Sequence, residues 1–323
     1  MKAAGRIARQ KTGEEQVKNR KVKLIGIPVQ DGSRRLGCEM GPSAYRVAGL
    51  AQSLTELGWQ VEDIGNIAAE AAPELKPHPN ASLYRMAEVY GWIAAIQKAA
   101  YKYSADSFPI FMGGDHIMAA GTVPGLARRA AEEKRPLFVL WIDTHTDFHT
   151  PDTTTSGNLH GLPVGYFTGR KGFDGVFPPL PAAVAPENIC MIGLRDVDKA
   201  EREALVGSKI TLCDMRAIDE HGVAAPVEKF LSKVKKANGL LHVSLDVDGL
   251  DPSYAPAVGT SVPGGLTYRE AHLIMELIYD SGLAASMDLA ELNPFLDERG
   301  KTAFVMRDLA AGLMGRSILR PEG

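Results

Sequence analysis

Cysteine is scarce, with three in 323 residues. Cys38, Cys190 and Cys213 are odd in number, widely spaced and form no C-x-x-C. That excludes a disulfide framework and a thiolate zinc motif, and predicts buried free thiols in a reducing, cytoplasmic setting. Long apolar runs are missing too: none approaches the roughly 18 residues of a membrane span. Residues 1–20 are polar and charged, without the apolar core of a secretory signal. They read as an N-terminal extension or contact arm with no assigned function. Charge of one sign is lacking, since 36 Lys and Arg against 39 Asp and Glu leave a formal charge of -3. Neither nucleic acid nor a membrane surface is therefore an expected partner. The glycine-rich loop at residues 32–46 has neither G-x-G-x-x-G nor G-K-[ST], so it is no phosphate cradle. There is no internal repeat and no low-complexity segment.

What the chain does have is alternation. Apolar runs fit strands at residues 21–29, 60–64, 108–112, 137–142, 188–193, 210–213, 240–245 and 284–289. Helical patterns lie between several of them, at residues 43–57, 82–103, 223–236, from the T-Y-R-E capping box at Thr267 to residue 279, and at 303–314. Such alternation predicts an α/β fold with a mainly parallel sheet of about eight strands covered by helices; 323 residues could make two domains, but α/β folds often run longer as one unit. An open doubly wound sheet and a closed eight-fold barrel both satisfy it, and both place ligands at the carboxyl ends of the strands.

The chemistry-bearing residues cluster at those ends. The segment WIDTHTDFHTPDTTTSGNLHG, residues 141–161, follows the fourth strand. If the backbone stays extended, Asp143, His145 and Asp147 project from one face. Carboxylates and an imidazole gathered at a strand end are costly without a cation, and mixed oxygen and nitrogen donors suit a first-row metal. The third strand ends in Gly113-Gly114-Asp115-His116, where Asp115 either orients the imidazole or caps the next helix. The seventh runs into SLDVDGLDP, with Asp246 and Asp248 on one face and Asp251 in a turn; His242, deeper in the strand, is expected to be a buried, hydrogen-bonded histidine. The eighth delivers Glu291. After the fifth, Asp196 and Asp198 are flanked by Arg195 and Lys199, which fits a loop acid meeting an ammonium group, or a salt-bridged turn, better than metal binding.

Taken in order, GGDH, DTHTD, SLDVDGLDP and ELNP resemble the ureohydrolase family of binuclear manganese enzymes, and TTTSGNLHG and DGLDPSYAPAVGT are similar to its arginase branch. The resemblance runs from about Val22 to Leu319. It implies a three-layer α/β/α fold with an open sheet, assembly into trimers or hexamers, and hydrolysis of L-arginine to L-ornithine and urea by a hydroxide bridging two Mn2+ ions per subunit. Carried over by motif, His116 and Asp147 would bind one ion, His145 and Asp248 the other, and Asp143 and Asp246 both. Asp147 would relay a proton to the departing amine, His160 would shuttle protons, and Glu291 would pair with the guanidinium. Ser156 and Asn158 would meet the α-carboxylate and Asp198 the α-ammonium group, with Thr260 in the same pocket. One position departs from the family: His149 stands where the best-known arginases carry asparagine, at a contact to the α-carboxylate. Another ureohydrolase, acting on agmatine or a guanidino acid, is the nearest alternative. A two-metal phosphoesterase lacks its Arg/Lys clamp here, and a non-catalytic binding protein is disfavoured because no ligand position has been lost.

Overall fold

A computed structural model describes residues 21–317 and Leu319; the extension expected at residues 1–20 lies outside them. Eight strands form one open sheet: β1 (Lys21–Ile27), β2 (Gln60–Asn66), β3 (Ser107–Gly113), β4 (Leu137–Ile142), β5 (Ile189–Leu194), β6 (Thr211–Asp214), β7 (Leu240–Asp246) and β8 (Ala284–Ala290). Their spatial order is β2-β1-β3-β8-β7-β4-β5-β6, and every pairing is parallel. Two outer strands, β2 and β6, rule out the closed barrel.

The burial pattern follows from that topology. A parallel sheet covered on both faces needs strands apolar on both sides, and all six residues of β4, LFVLWI, are buried. Their alternation splits them between two cores: Phe138, Leu140 and Ile142 join one, Leu137, Val139 and Trp141 the other. The edge strands β2 and β6 bury less, which is why their sequences tolerate Glu62, Asp63 and Asp214.

Strand positions match the expected ones to within a residue or two. Two helices differ. The helix expected at residues 43–57 is split into Gly41–Val47 and Leu50–Glu56, because Gly49 takes a left-handed φ of 82° and restarts the chain. The one expected from residue 82 begins at Met86, after Arg85 at φ 48°. The helix start expected at Thr267 is observed as a reciprocal cap. The Thr267 side chain accepts from the Glu270 N–H and the Glu270 side chain accepts from the Thr267 N–H, opening the helix Tyr268–Ser281. No helix among the described residues is long and apolar enough to cross a membrane.

Register sets up the site. Ile142 of β4 faces Leu245 of β7, Asp246 faces Ala290 of β8, and Leu289 faces Met112 of β3. The four central strands therefore end level with one another. The residues that follow each of them, beginning with Asp143, Val247, Glu291 and Gly114, open onto one crevice at their carboxyl ends.

Candidate active site

Each motif turns sharply where its strand stops. After β4 the backbone does not stay extended: it bends over residues 143–145 and reaches Asp147 at φ 46°. Asp143, His145 and Asp147 thus converge through a turn, and not through the strand alternation expected from sequence. Asp248 likewise sits in a 3-10 turn (Val247–Gly249) whose start Asp246 caps by accepting from the Asp248 N–H at 2.8 Å. Glu291 adopts φ 66°. With Asp147 and Glu291 both left-handed, one crevice holds backbone strain that the surrounding packing must maintain, a frequent mark of functional positions.

These turns bring together two donor sets that share Asp143. His116, Asp143 and Asp147 form one, and Asp143, His145 and Asp248 the other, each with donor atoms within 4.8 Å of one another. Asp246 joins the first, its Oδ2 lying 2.8 Å from His116 Nδ1, with Asp143 Oδ2 at 2.9 Å from the same nitrogen. Burial, and then the charge of Asp143, push the Asp147 carboxyl well above the usual range. Burial raises Asp246 and Asp248 as well, with neighbouring aspartates adding to it. Burial alone would raise Asp143 too, but the adjacent imidazoles of His116 and His145 hold it low. His116 Nδ1 and Asp143 Oδ2 are buried without a well-formed hydrogen bond. Four buried carboxylates that repel one another, with imidazole nitrogens aimed among them, fit divalent cations and fit little else.

Neighbouring residues fix this donor set. His116 Nε2 meets Ser244 Oγ at 2.9 Å, which leaves Nδ1 facing the carboxylates. Its ring stacks on Trp141, centroids 4.1 Å apart and planes 5° from parallel. Asp115 does not orient the imidazole: it accepts from Gly32 N and caps the turn at Ile117 N, so the capping alternative is the one observed. His242 is the buried strand histidine expected, bonded to Ser286 Oγ at 2.9 Å and 3.2 Å from Asp288. All three cysteines are buried and free.

A cavity of about 230 Å³ stands above the donors and is lined by every residue that the family motifs single out. On one wall His160 Nδ1 meets Glu291 Oε1 at 2.7 Å. Burial disfavours the charged imidazole, but Glu291 outweighs it and lifts His160 to about 9. Glu291 is held below the usual carboxylate range against its burial, chiefly by His160. Thr260 Oγ1 donates to Asp248 Oδ2 at 2.8 Å, so its hydroxyl serves a donor of the cluster. Asn158, also lining the cavity, has its Oδ1 buried without a hydrogen-bond partner, and Ser156 Oγ accepts from the Asn158 N–H at 3.2 Å. His149 and Asp198 lie together, Nε2 to Oδ2, at 3.0 Å.

Two residues at the site have roles that the sequence did not announce. Glu201 is buried and ties the loop after β4 to the helix Lys199–Leu205: its Oε1 accepts from Thr146 Oγ1 and Phe148 N, its Oε2 from Asp198 N. The D-x-x-E capping pattern from Asp198 to Glu201 was the available signal. Arg195 was expected only as a partner of its flanking acids. Instead its guanidinium donates to the backbone oxygens of Asp248 (2.6 Å), Val262 (2.7 Å), Gly193 (3.1 Å) and Leu250 (3.2 Å), because buried carbonyls where β5 and β7 end need donors. No local sequence pattern signals that clamp.

Comparison with known proteins agrees with this geometry. The Arginase family model matches residues 20–315. An arginase of Brucella melitensis is 61% identical over 297 residues, covering 92% of this chain and 97% of its own. The native structure of Bacillus caldovelox arginase superposes with a TM-score of 0.84 at 35% identity, covering 93% of this chain and 100% of that one. Entamoeba histolytica arginase, crystallised with L-ornithine, gives a TM-score of 0.82 at 25% identity, with 93% and 100% covered. With a family model matching nearly its whole described length, the chain belongs to the arginase family.

Proposed function

We propose that this protein hydrolyses L-arginine to L-ornithine and urea. The observation that carries the proposal is the pair of donor sets sharing Asp143 at the floor of a cavity whose rim holds Ser156, Asn158 and Asp198. A guanidinium held at the floor would leave the amino-acid head among these rim residues. His116, Asp147, His145 and Asp248 would hold two divalent ions, with Asp143 and Asp246 facing both. When bound, such ions supply a water whose pKa falls from 15.7 towards about 7, a nucleophile that the delocalised guanidinium otherwise lacks.

The rest falls to the chain. Glu291, kept negative by His160, pairs with the guanidinium and holds its carbon over the floor. Asp147 carries a proton to the nitrogen that departs as the side-chain amine of ornithine. His160, partly open to the cavity mouth, exchanges protons with solvent, a task suited to imidazole. Ser156 and Asn158 meet the α-carboxylate and Asp198 the α-ammonium group. The Entamoeba relative, whose structure holds L-ornithine, supports the expected product.

Manganese as the resident ion, a trimer or hexamer of a single catalytic unit at residues 21–319, and a cytoplasmic location complete the reading. They rest on the family resemblance, and metal analysis and light scattering of the purified protein test the first two. The test of the function is urea release from arginine and from agmatine by manganese-loaded protein. Arginine should be the faster substrate; faster turnover of agmatine would reassign the chain within the ureohydrolases.

A further inference from the structure

His149 lies beneath the rim and lines the cavity, yet neither of its ring nitrogens is free. Nε2 lies 3.0 Å from Asp198 Oδ2, and Nδ1 lies 3.1 Å from Thr153 Oγ1. An ionised carboxylate can only accept, so Nε2 carries the hydrogen that Asp198 receives, while Nδ1 rests against the threonine hydroxyl. The Thr153 hydroxyl oxygen is itself fixed, accepting from the Thr150 N–H at 2.9 Å. A chain of contacts therefore runs from the Thr150 backbone through Thr153 and His149 to a single oxygen of Asp198. The side chain of Asp198 is 64% exposed and has no other side-chain partner among the described residues; its main chain is anchored by Glu201. The carboxylate also accepts from the Glu201 N–H in the helix cap; without the imidazole that contact alone would remain to set its orientation.

We propose that His149 is a positioning residue: it holds Asp198 in the orientation that receives the α-ammonium group of the substrate and does not itself touch the substrate. This rests on the reading of the cavity as an arginine site. It assigns recognition of the amino-acid head to a relay of three side chains, Thr153, His149 and Asp198, and leaves the carboxylate to Ser156 and Asn158. Discrimination in favour of α-amino acids then depends on a residue behind the rim.

A double-mutant cycle with arginine as substrate separates the roles. H149L removes the donor. Its kcat/KM should fall roughly tenfold, about the worth of one hydrogen bond to a charged group, with the loss mainly in KM. H149Q, whose amide N–H can reach Asp198, should recover most of it. Added to D198A, H149L should cost less than about twofold more, since two residues acting through one contact are not additive. Additive losses would show His149 touching the substrate by itself, and an H149L variant with native KM would show no positioning; either overturns the proposal. Wild-type protein that releases no urea from arginine would instead remove the reading beneath it, and that arm is read separately.

Discussion

The Arg195 clamp gives the most quantitative consequence of the structure. Its guanidinium reaches oxygens on either side of the site: Gly193 at the end of β5, Asp248 and Leu250 after β7, and Val262 in the loop beyond. Asp248 is both a donor of the second set and one of the clamped residues. R195A deletes all of these contacts. Hydrogen bonds to a charged group are worth about 1.5–3 kcal/mol each, but they share one cation and do not add. Asp248 O also retains a bond from Thr144 Oγ1 at 2.6 Å, so it is not orphaned. A net loss of about 3 kcal/mol follows, and for a chain of this size each kcal/mol lowers Tm by roughly 2–3 °C. Loosening the turn at Asp248 should also weaken the ion held there by about 10–100-fold, as losing an outer contact to a metal ligand usually does. Thermal unfolding by circular dichroism, with and without chelator, reads the first effect, and calorimetric titration with Mn2+ reads the second. R195K keeps the charge but lacks the planar fork and should fall between. If R195A unfolds within about 1 °C of wild type and binds manganese equally well, the clamp argument is wrong.

Other outcomes follow from single contacts. D147N should abolish nearly all urea release while leaving far-UV circular dichroism and Tm close to wild type; retained turnover would refute the proton-relay role. Gly157 has φ 71°, and a Cβ there would lie 1.8 Å from Ser82 O, so G157A should displace Ser156 and Asn158 and raise KM for arginine at least tenfold, measured in the urea assay. The Asp63 carboxyl is held below its usual value, first by its hydrogen bonds from Arg46. A lowered folded pKa gives stability that is present above the unfolded pKa and lost as pH falls through the folded one. D63N should therefore cost about 0.5 kcal/mol near pH 7, after allowance for screening, and nothing well below pH 3.8 in denaturant titrations.

The fold was legible because its signals are local. A run as short and as rich in β-branched and aromatic residues as LFVLWI favours a strand buried on both faces over a helix segment, and capping chemistry at Thr267 marks a helix start whatever packs above it. The break at Gly49 was not legible, since a glycine within a helical pattern can be tolerated or can reset the chain. At the site, residue types and spacing revealed the donors, because acidic and imidazole side chains at strand ends have few inexpensive alternatives. The way they converge was not visible: Asp147 and Glu291 arrive through left-handed backbone that only tertiary packing maintains. Arg195 and the Trp141–His116 stack were hidden for a related reason: apart from Gly193, their partners lie far along the chain, on or after other strands. His149 was legible as a pocket residue, but its engagement with Thr153 and Asp198 required coordinates.

The most direct test of the account is a titration of metal-stripped protein with Mn2+, following bound ions per chain and the rate of urea release from L-arginine in the same samples. Two ions per chain should bind, with full activity reached only as the second site fills. Saturation at a single ion, or a protein carrying two ions that releases no urea, would contradict it.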